Sequence, residues 1–113
     1  MEILHPEEEK INFDDLFNLY PVKTPNGRYL RIKNKTIGDK LTKEYKFLRD
    51  KYLMRVHDYK RHEQIIKATK VMLEDKKHTN SLDYLPQLEV YINKENWERY
   101  IREDGEVNNT TAY

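Results

Sequence analysis

The side chains best suited to chemistry in this sequence are lysines and arginines that cluster near the middle of the chain, with Tyr29 and Tyr45 between them. Cationic groups at this density neutralise phosphates, so the cluster is typical of a surface that contacts a nucleic-acid backbone. A solvated lysine-rich face, neutralised in part by the acidic ends of the chain, is the alternative. The candidate nucleic-acid-binding residues are Lys23, Arg28, Arg31, Lys33, Lys35, Lys40, Lys43 and Lys46.

Charge is strongly segregated along the chain, although the formal net charge is only +1. Residues 21–72 hold 15 Lys and Arg against 5 Asp and Glu, whereas the remaining residues hold 6 against 15. An unpatterned surface does not need such segregation, which favours a binding function for the basic part. The acidic ends are either solvated tails or a surface for a basic partner, for DNA mimicry or for another copy of the chain.

Other residue types with catalytic or metal-binding potential lack the required spacing. His57 and His62 are five residues apart and Glu63 adjoins the second, so they do not form an i, i+4 pair of metal ligands on one helix face. Ser81 is the single serine, and the three glycines are too far apart to form a phosphate loop. The sequence therefore predicts a protein that is not an enzyme and has neither a metal nor a cofactor.

Composition favours an all-α fold, a small bundle of about four to five helices. Only 37% of the 113 residues are hydrophobic and 36% are charged, and helices need just one narrow apolar stripe each. Three glycines and four prolines leave little turn chemistry for many strands. The chain has no cysteine, which indicates a reducing compartment. It also has no apolar run long enough for a membrane span or a signal peptide, so no membrane partner is expected.

One helical domain is expected between two polar ends. Residues 1–11 are predicted to be an acidic, mobile leader, residues 12–102 the domain, and residues 103–113 a polar tail. Asn12 is expected to cap a first helix that ends at Pro21, because proline cannot continue the helical hydrogen bonds. The apolar face of this helix is predicted to contain Phe13, Leu16, Phe17 and Tyr20.

Residues 22–36 are predicted to form either an extended basic loop or a short hairpin, with a turn at Pro25-Asn26-Gly27. A second helix is expected to begin at Thr36, and a third is expected to begin after Asp58, which would be its cap. The predicted apolar stripe of the second helix is Ile37, Leu41, Tyr45, Leu48 and Tyr52, and that of the third is His62, Ile65, Ile66, Thr69, Met72 and Leu73.

The third helix is expected to end near His78, where basic side chains complement the helix dipole. A fourth helix is predicted to start at Ser81 or Asp83, with Pro86 in its first turn. Asn93 is expected to break it before a last short helix that contains Trp97, Tyr100 and Ile101.

Two segments of the chain form a recognisable pattern, with Phe13, Leu16, Phe17, Tyr20 and Pro21 at the opening, and Leu85-Pro86, Leu88, Tyr91-Ile92-Asn93 and Trp97-Glu98 at the close. Together they resemble the C-terminal helical region of bacteriophage replication-initiation and helicase-loading proteins. The resemblance implies a role in phage nucleic-acid metabolism. The same residues are also expected to form much of the hydrophobic core, and a shared fold is weak evidence of activity.

Together these observations predict a small phage-encoded accessory protein that contacts DNA or RNA in the host cytoplasm and acts in phage DNA replication. The partner would then be nucleic acid and a phage or host replication protein. One alternative is a component of DNA packaging or virion assembly that forms a homo-oligomer similar to a small terminase. Another is an adaptor that binds a host transcription or replication protein.

Overall fold

Helices make up most of the part of the chain that the computed structural model describes, residues 11–102 and 106–107. The helical fold is therefore confirmed for these residues, but a small sheet makes the fold mostly helical rather than all-α. The elements in chain order are α1 (Asp14–Leu19), β1 (Thr36–Ile37), β2 (Lys40–Leu41), α2 (Lys43–Arg55), α3 (Tyr59–His78), the 3₁₀ helix η1 (Leu82–Tyr84), α4 (Leu88–Asn93) and the 3₁₀ helix η2 (Asn96–Tyr100).

Most of the predicted leader and tail lies outside the described residues. The exceptions are Ile11, which packs partly buried against the core, and Glu106 and Val107. Val107 forms a single antiparallel bridge with Ile101 and also packs against the core.

Helix α1 matches its prediction. The residue before the helix, Phe13, has no side-chain group that caps it. The cap comes from Asn12, whose Oδ1 atom accepts a hydrogen bond from the Asp14 backbone N–H at 3.0 Å. The chain leaves the helix in an extended conformation at Tyr20, as the following Pro21 requires. All four side chains of the predicted apolar face are buried: Phe13, Leu16, Phe17 and Tyr20.

The prediction that a helix begins at Thr36 is wrong, because a hairpin occupies this position. Strands β1 and β2 pair antiparallel around a two-residue loop in which Gly38 has a φ of +64°, a conformation that suits such hairpins but not a helix. Ile37 is consequently 77% exposed. Helix α2 begins six to seven residues later, where the Thr42 hydroxyl accepts a hydrogen bond from the Tyr45 N–H at 3.1 Å. Leu41 lies in β2 and is partly buried, whereas the last three residues of the predicted stripe, Tyr45, Leu48 and Tyr52, are buried.

Helix α3 begins after Asp58 and ends at His78, as predicted. The Asp58 carboxylate accepts a hydrogen bond from the Lys60 N–H at 3.3 Å. At the other end Asn80 adopts a φ of +58°, and the Ser81 N–H donates to the Lys76 carbonyl at 2.7 Å, which closes a Schellman motif. The buried side chains of α3 are His62, Ile65, Ala68, Thr69 and Met72, while Ile66 and Leu73 are partly buried.

The prediction of a continuous fourth helix from Ser81 or Asp83 is wrong in part. The residues between η1 and α4 are not helical, and Pro86 lies before α4 rather than in its first turn. Tertiary hydrogen bonds hold this segment, because the Pro86 carbonyl accepts from the Tyr20 hydroxyl at 2.6 Å and the Leu88 N–H donates to the Leu30 carbonyl at 2.9 Å. The predicted break at Asn93 is confirmed.

Residues 22–35 form a loop with a tight turn at its start, and Thr36 begins β1. The predicted turn at Pro25-Asn26-Gly27 is present, with Gly27 at a φ of +96° and its N–H bonded to the Thr24 carbonyl at 2.9 Å. A single antiparallel bridge joins Lys23 and Tyr29 across the turn. The two-stranded sheet lies just beyond the loop, at residues 36–41.

The core is rich in aromatic rings that contact one another across elements. Trp97 is 1% exposed, and its ring lies 5.9 Å from that of Tyr52 and 5.6 Å from that of Tyr91, both edge to face. Helix η2, which contains Trp97, packs on α3 and α4. The expectation that Trp97 forms part of the hydrophobic core is thus confirmed.

Four tyrosines are buried in this core, and each hydroxyl has a partner. Besides the Tyr20 bond to Pro86, Tyr45 donates to the Asp14 carboxylate, Tyr52 bonds to His62 Nδ1 at 2.6 Å, and Tyr91 bonds to the Thr69 hydroxyl at 2.7 Å. Burial raises the pKa of all four phenols, so they remain neutral at physiological pH.

The Asp14 carboxylate joins three elements. Besides the Tyr45 hydroxyl from α2, it contacts the Lys35 ammonium from the loop, with 2.5 Å between Nζ and Oδ2. Partial burial disfavours the charge on Asp14, but the hydrogen bonds from Lys35 and Tyr45 outweigh it and hold the pKa of this carboxyl below its ordinary 3.8.

We predict that Trp97→Ala destabilises the protein by about 3 to 5 kcal/mol, because it leaves a large cavity among buried rings. Chemical denaturation followed by circular dichroism measures this change. Tyr84→Ala is the control, since Tyr84 is 81% exposed and its removal should change stability by about 0.5 kcal/mol or less. A Trp97 variant that melts within about two degrees of the wild type would contradict the packing described here.

We predict that Asp14→Asn lowers stability by about 1 to 3 kcal/mol at neutral pH, because it removes charged hydrogen-bond acceptors. The pKa of Asp14 is lower in the folded than in the unfolded chain, so its stabilisation is complete above 3.8 and is lost as the pH falls through the folded-state pKa. The difference between wild type and variant should therefore shrink in acid. Denaturation series at several pH values test this, and a difference that is constant with pH would refute it.

Candidate nucleic-acid interface

The eight basic residues predicted to bind nucleic acid divide into two groups in the structure. Arg28, Arg31 and Lys35 hold the loop against the rest of the fold. The other five have exposed side chains on the loop, β2 and the beginning of α2, namely Lys23, Lys33, Lys40, Lys43 and Lys46.

Arg31 is a structural residue. Its guanidinium lies 4.1 Å from the centre of the Phe17 ring, Nε donates to the Tyr20 carbonyl at 3.0 Å, and Nη1 donates to the Ile32 carbonyl at 2.7 Å. Burial lowers the pKa of this guanidinium, although it remains charged at neutral pH. These contacts tie the basic loop to α1.

Arg28 and Lys35 have comparable roles at the two ends of the loop. The Arg28 Nη2 atom donates to the Asp83 carbonyl at 2.9 Å and to the Leu85 carbonyl at 2.5 Å, which joins the turn to the segment before α4. Lys35 pairs with Asp14 as described above. A phosphate would have to compete with these internal acceptors for either side chain, so we do not place them in the candidate interface.

Four exposed lysines form the candidate interface: Lys33, Lys40, Lys43 and Lys46. None of them makes an ion pair with another of the described residues within 4.0 Å, so their ammonium groups are available to solvent and to anions. We refer to these four residues as the lysine surface. Their side chains can contact phosphates without breaking any internal ion pair between described residues.

A groove of about 380 Å³ adjoins the lysine surface. It lies between the basic loop, the first half of α2 and the start of α4, and its floor includes the buried side chains of Leu30 and Leu48. Two exposed rings line it, Tyr29 at 57% and Phe47 at 49% exposure. We call this site the aromatic groove; its other lining residues are Arg31, Ile32, Lys33, Glu44, Gln87 and Glu89.

Each exposed ring of the aromatic groove is accompanied by a lysine. The Lys23 ammonium lies 5.2 Å from the centre of the Tyr29 ring, and the Lys51 ammonium lies 4.6 Å from the centre of the Phe47 ring. Cation–π contacts of exposed groups are worth only about 0.5 to 1 kcal/mol, so a ligand can displace either ammonium at small cost.

The groove is not uniformly basic, because Glu44 and Glu89 also line it. Their carboxylates oppose a phosphate inside the groove, while Lys33 at the same site favours an anion near its edge. An anionic polymer is therefore expected to follow the lysine surface and to place less charged groups in the groove.

The rings predicted to lie between the basic residues of the interface were Tyr29 and Tyr45. The structure places Tyr29 there, but the second exposed ring is Phe47 and not Tyr45. Tyr45 is buried and bonded to Asp14, whereas Phe47 lies on the outer face of α2. A signal was present in the sequence, because Phe47 falls between the stripe positions Tyr45 and Leu48 and is four residues after Lys43.

His62, one of the two histidines considered as metal ligands, has a packing role. His62 is 1% exposed, and its Nε2 atom lies 3.0 Å from the Asp15 carboxylate while Nδ1 contacts the Tyr52 hydroxyl. Within residues 11–102 and 106–107, no three His, Asp or Glu side chains are grouped so that they could hold a metal ion.

A second groove lies along the outer face of α3 and ends at Val107. Its lysines, Lys60, Lys67 and Lys70, are exposed, but none of the described residues that line it is a tyrosine or phenylalanine. Of the helices in the described part of the chain, none combines the length and apolar character needed to cross a bilayer.

Comparisons of the chain with protein-family models, with curated proteins and with solved structures found no match. The resemblance to phage replication proteins therefore stays a prediction based on the quoted residues.

Proposed function

We propose that this protein is a non-enzymatic accessory factor that binds nucleic acid through the lysine surface. The observation that carries the proposal is that these four ammonium groups are exposed and unpaired among the described residues, beside a groove lined by two exposed rings. The four lysines lie on the loop, β2 and α2, and the internal contacts of Arg28, Arg31 and Lys35 hold the loop in place.

Binding of this kind is driven by the release of counterions from the phosphates. Four lysine contacts predict that the logarithm of the binding constant falls with the logarithm of salt concentration with a slope of about −3.6 on duplex DNA and about −2.8 on a single strand. Such affinity does not depend on sequence, which suits an accessory factor that acts wherever its partner proteins are recruited.

We place this activity in phage DNA replication in the host cytoplasm, with a phage or host replication protein as the second partner. The support for this setting is the resemblance of the Tyr20-Pro21 opening and the Trp97-Glu98 close to the phage replication proteins. Because Tyr20 and Trp97 are buried in the core, they are not themselves contact residues.

Exposed apolar side chains on α2 favour a second candidate, a self-associating packaging or assembly component or an adaptor for a host protein. Met54 is 71% exposed, and Leu53 and Phe47 are exposed on the same helix. Light scattering coupled to size exclusion separates the two candidates, because a stable homo-oligomer that Met54→Lys dissociates would favour assembly.

We predict that the triple substitution of Lys33, Lys43 and Lys46 by Glu weakens binding of DNA or RNA by at least about a hundredfold at low salt, because it replaces three attractive contacts by repulsive ones. Fluorescence anisotropy with labelled single-stranded and duplex oligonucleotides measures the affinity. Circular dichroism should show unchanged helicity, since all three side chains are exposed.

The matched control is the substitution of Lys60, Lys67 and Lys70 by Glu, which changes the net charge by the same amount on the surface of α3. This control should lose much less affinity than the first triple variant. Equal losses in both variants would mean that only the total charge matters, and no binding of the wild type at low salt would eliminate the proposed function.

A further inference from the structure

We infer that the aromatic groove takes unpaired nucleobases, which stack on Tyr29 and Phe47, so that the protein prefers single-stranded over duplex nucleic acid. This inference rests on the proposed function, because the lysine surface must first bring the backbone to the groove. It adds the chemical class of the ligand and two contact residues that are not basic.

The first argument is the repeated pairing of an exposed ring with a lysine. A nucleotide consists of a flat base and a phosphate, and the Tyr29–Lys23 and Phe47–Lys51 pairs each offer a stacking surface and a cation about 5 Å apart. When a base occupies the ring, the displaced ammonium can bind the phosphate of the same nucleotide. The pair thus exchanges a weak internal contact for two contacts with the ligand.

The second argument is the distribution of charge in and around the groove. Glu44 and Glu89 would repel a phosphate inside it, but carboxylates accept hydrogen bonds from the exocyclic amino groups of cytosine, adenine and guanine. The lysine surface beside the groove attracts the phosphates. This arrangement fits a strand whose backbone follows the lysines and whose bases turn into the groove.

The third argument excludes the duplex as the preferred ligand of this site. In a duplex the faces of the bases are stacked on one another, so they cannot lie on Tyr29 or Phe47 unless the helix opens. A volume of about 380 Å³ is within the range of sites for small molecules and is open at the surface of the loop and α2. Unpaired bases can enter it without that cost.

Anisotropy titrations at one low salt concentration test the inference with four labelled ligands of equal length: single-stranded DNA, single-stranded RNA, an abasic single strand and duplex DNA. The wild type should bind the strand that carries bases at least about 25-fold more tightly than the abasic strand, since each of two stacked bases contributes about fivefold or more. The DNA and RNA arms show which sugar the groove accepts.

The variants Tyr29→Ala and Phe47→Ala should each weaken binding of the base-containing strand about fivefold or more, while affinity for the abasic strand and the duplex changes by less than about twofold. Tyr29→Phe should keep the wild-type affinity because it keeps the ring. Tyr84→Ala is the matched control, since it removes an exposed ring that does not line the groove.

A direct readout comes from 2-aminopurine placed in the single strand, whose fluorescence should be quenched by the wild type and not by the double variant of Tyr29 and Phe47. Equal affinity of the wild type for the abasic and the base-containing strand, or unchanged binding by both alanine variants, would overturn the inference while the proposed function stands. No binding to any of the four ligands would instead overturn the proposed function itself.

Discussion

The constraint on which the rest of this structure depends is the burial of four tyrosines in a core made largely of aromatic rings. A buried hydroxyl without a partner costs about 1 to 3 kcal/mol, so each phenol needs an acceptor or donor at a fixed place. The partners come from different elements: Pro86 for Tyr20, Asp14 for Tyr45, His62 for Tyr52 and Thr69 for Tyr91. Satisfying all four fixes how the helices are arranged relative to one another.

This arrangement of the core also determines the surface that is available for binding. The carboxylate of Asp14 accepts from Tyr45 and pairs with Lys35, while Arg31 bonds to the Tyr20 carbonyl, so two of the core tyrosines also anchor the basic loop. Anchored in this way, the loop presents Tyr29 and Lys33 beside Phe47 of α2. The lysine surface and the aromatic groove are therefore consequences of how the core satisfies its polar groups.

Much of the fold was predictable where a local capping or turn residue defines an element. Helix α3 begins after Asp58 and the Pro25-Asn26-Gly27 turn forms, both as predicted, because these signals act within a few residues of the chain. The start of α2 was not predicted, since Thr36 and Thr42 are both acceptable caps and only the positive φ of Gly38 excludes the first. The site was predicted less well, because three of the eight basic residues are engaged internally.

By itself, the sequence determined that the chain is mostly helical, that its apolar stripes on α1 and α3 form the core, and that its basic residues concentrate in the middle, since periodicity and charge are properties of the chain alone. Only the tertiary structure decided which partners the buried tyrosines bond to and which cations stay exposed. Tyr45 and Phe47 are two residues apart on the same helix, yet the first bonds to Asp14 in the core and the second lines a groove with Tyr29. The periodicity of the helix predicts that Tyr45 is buried, but the partners of both residues lie far away in sequence, where a local pattern does not specify them.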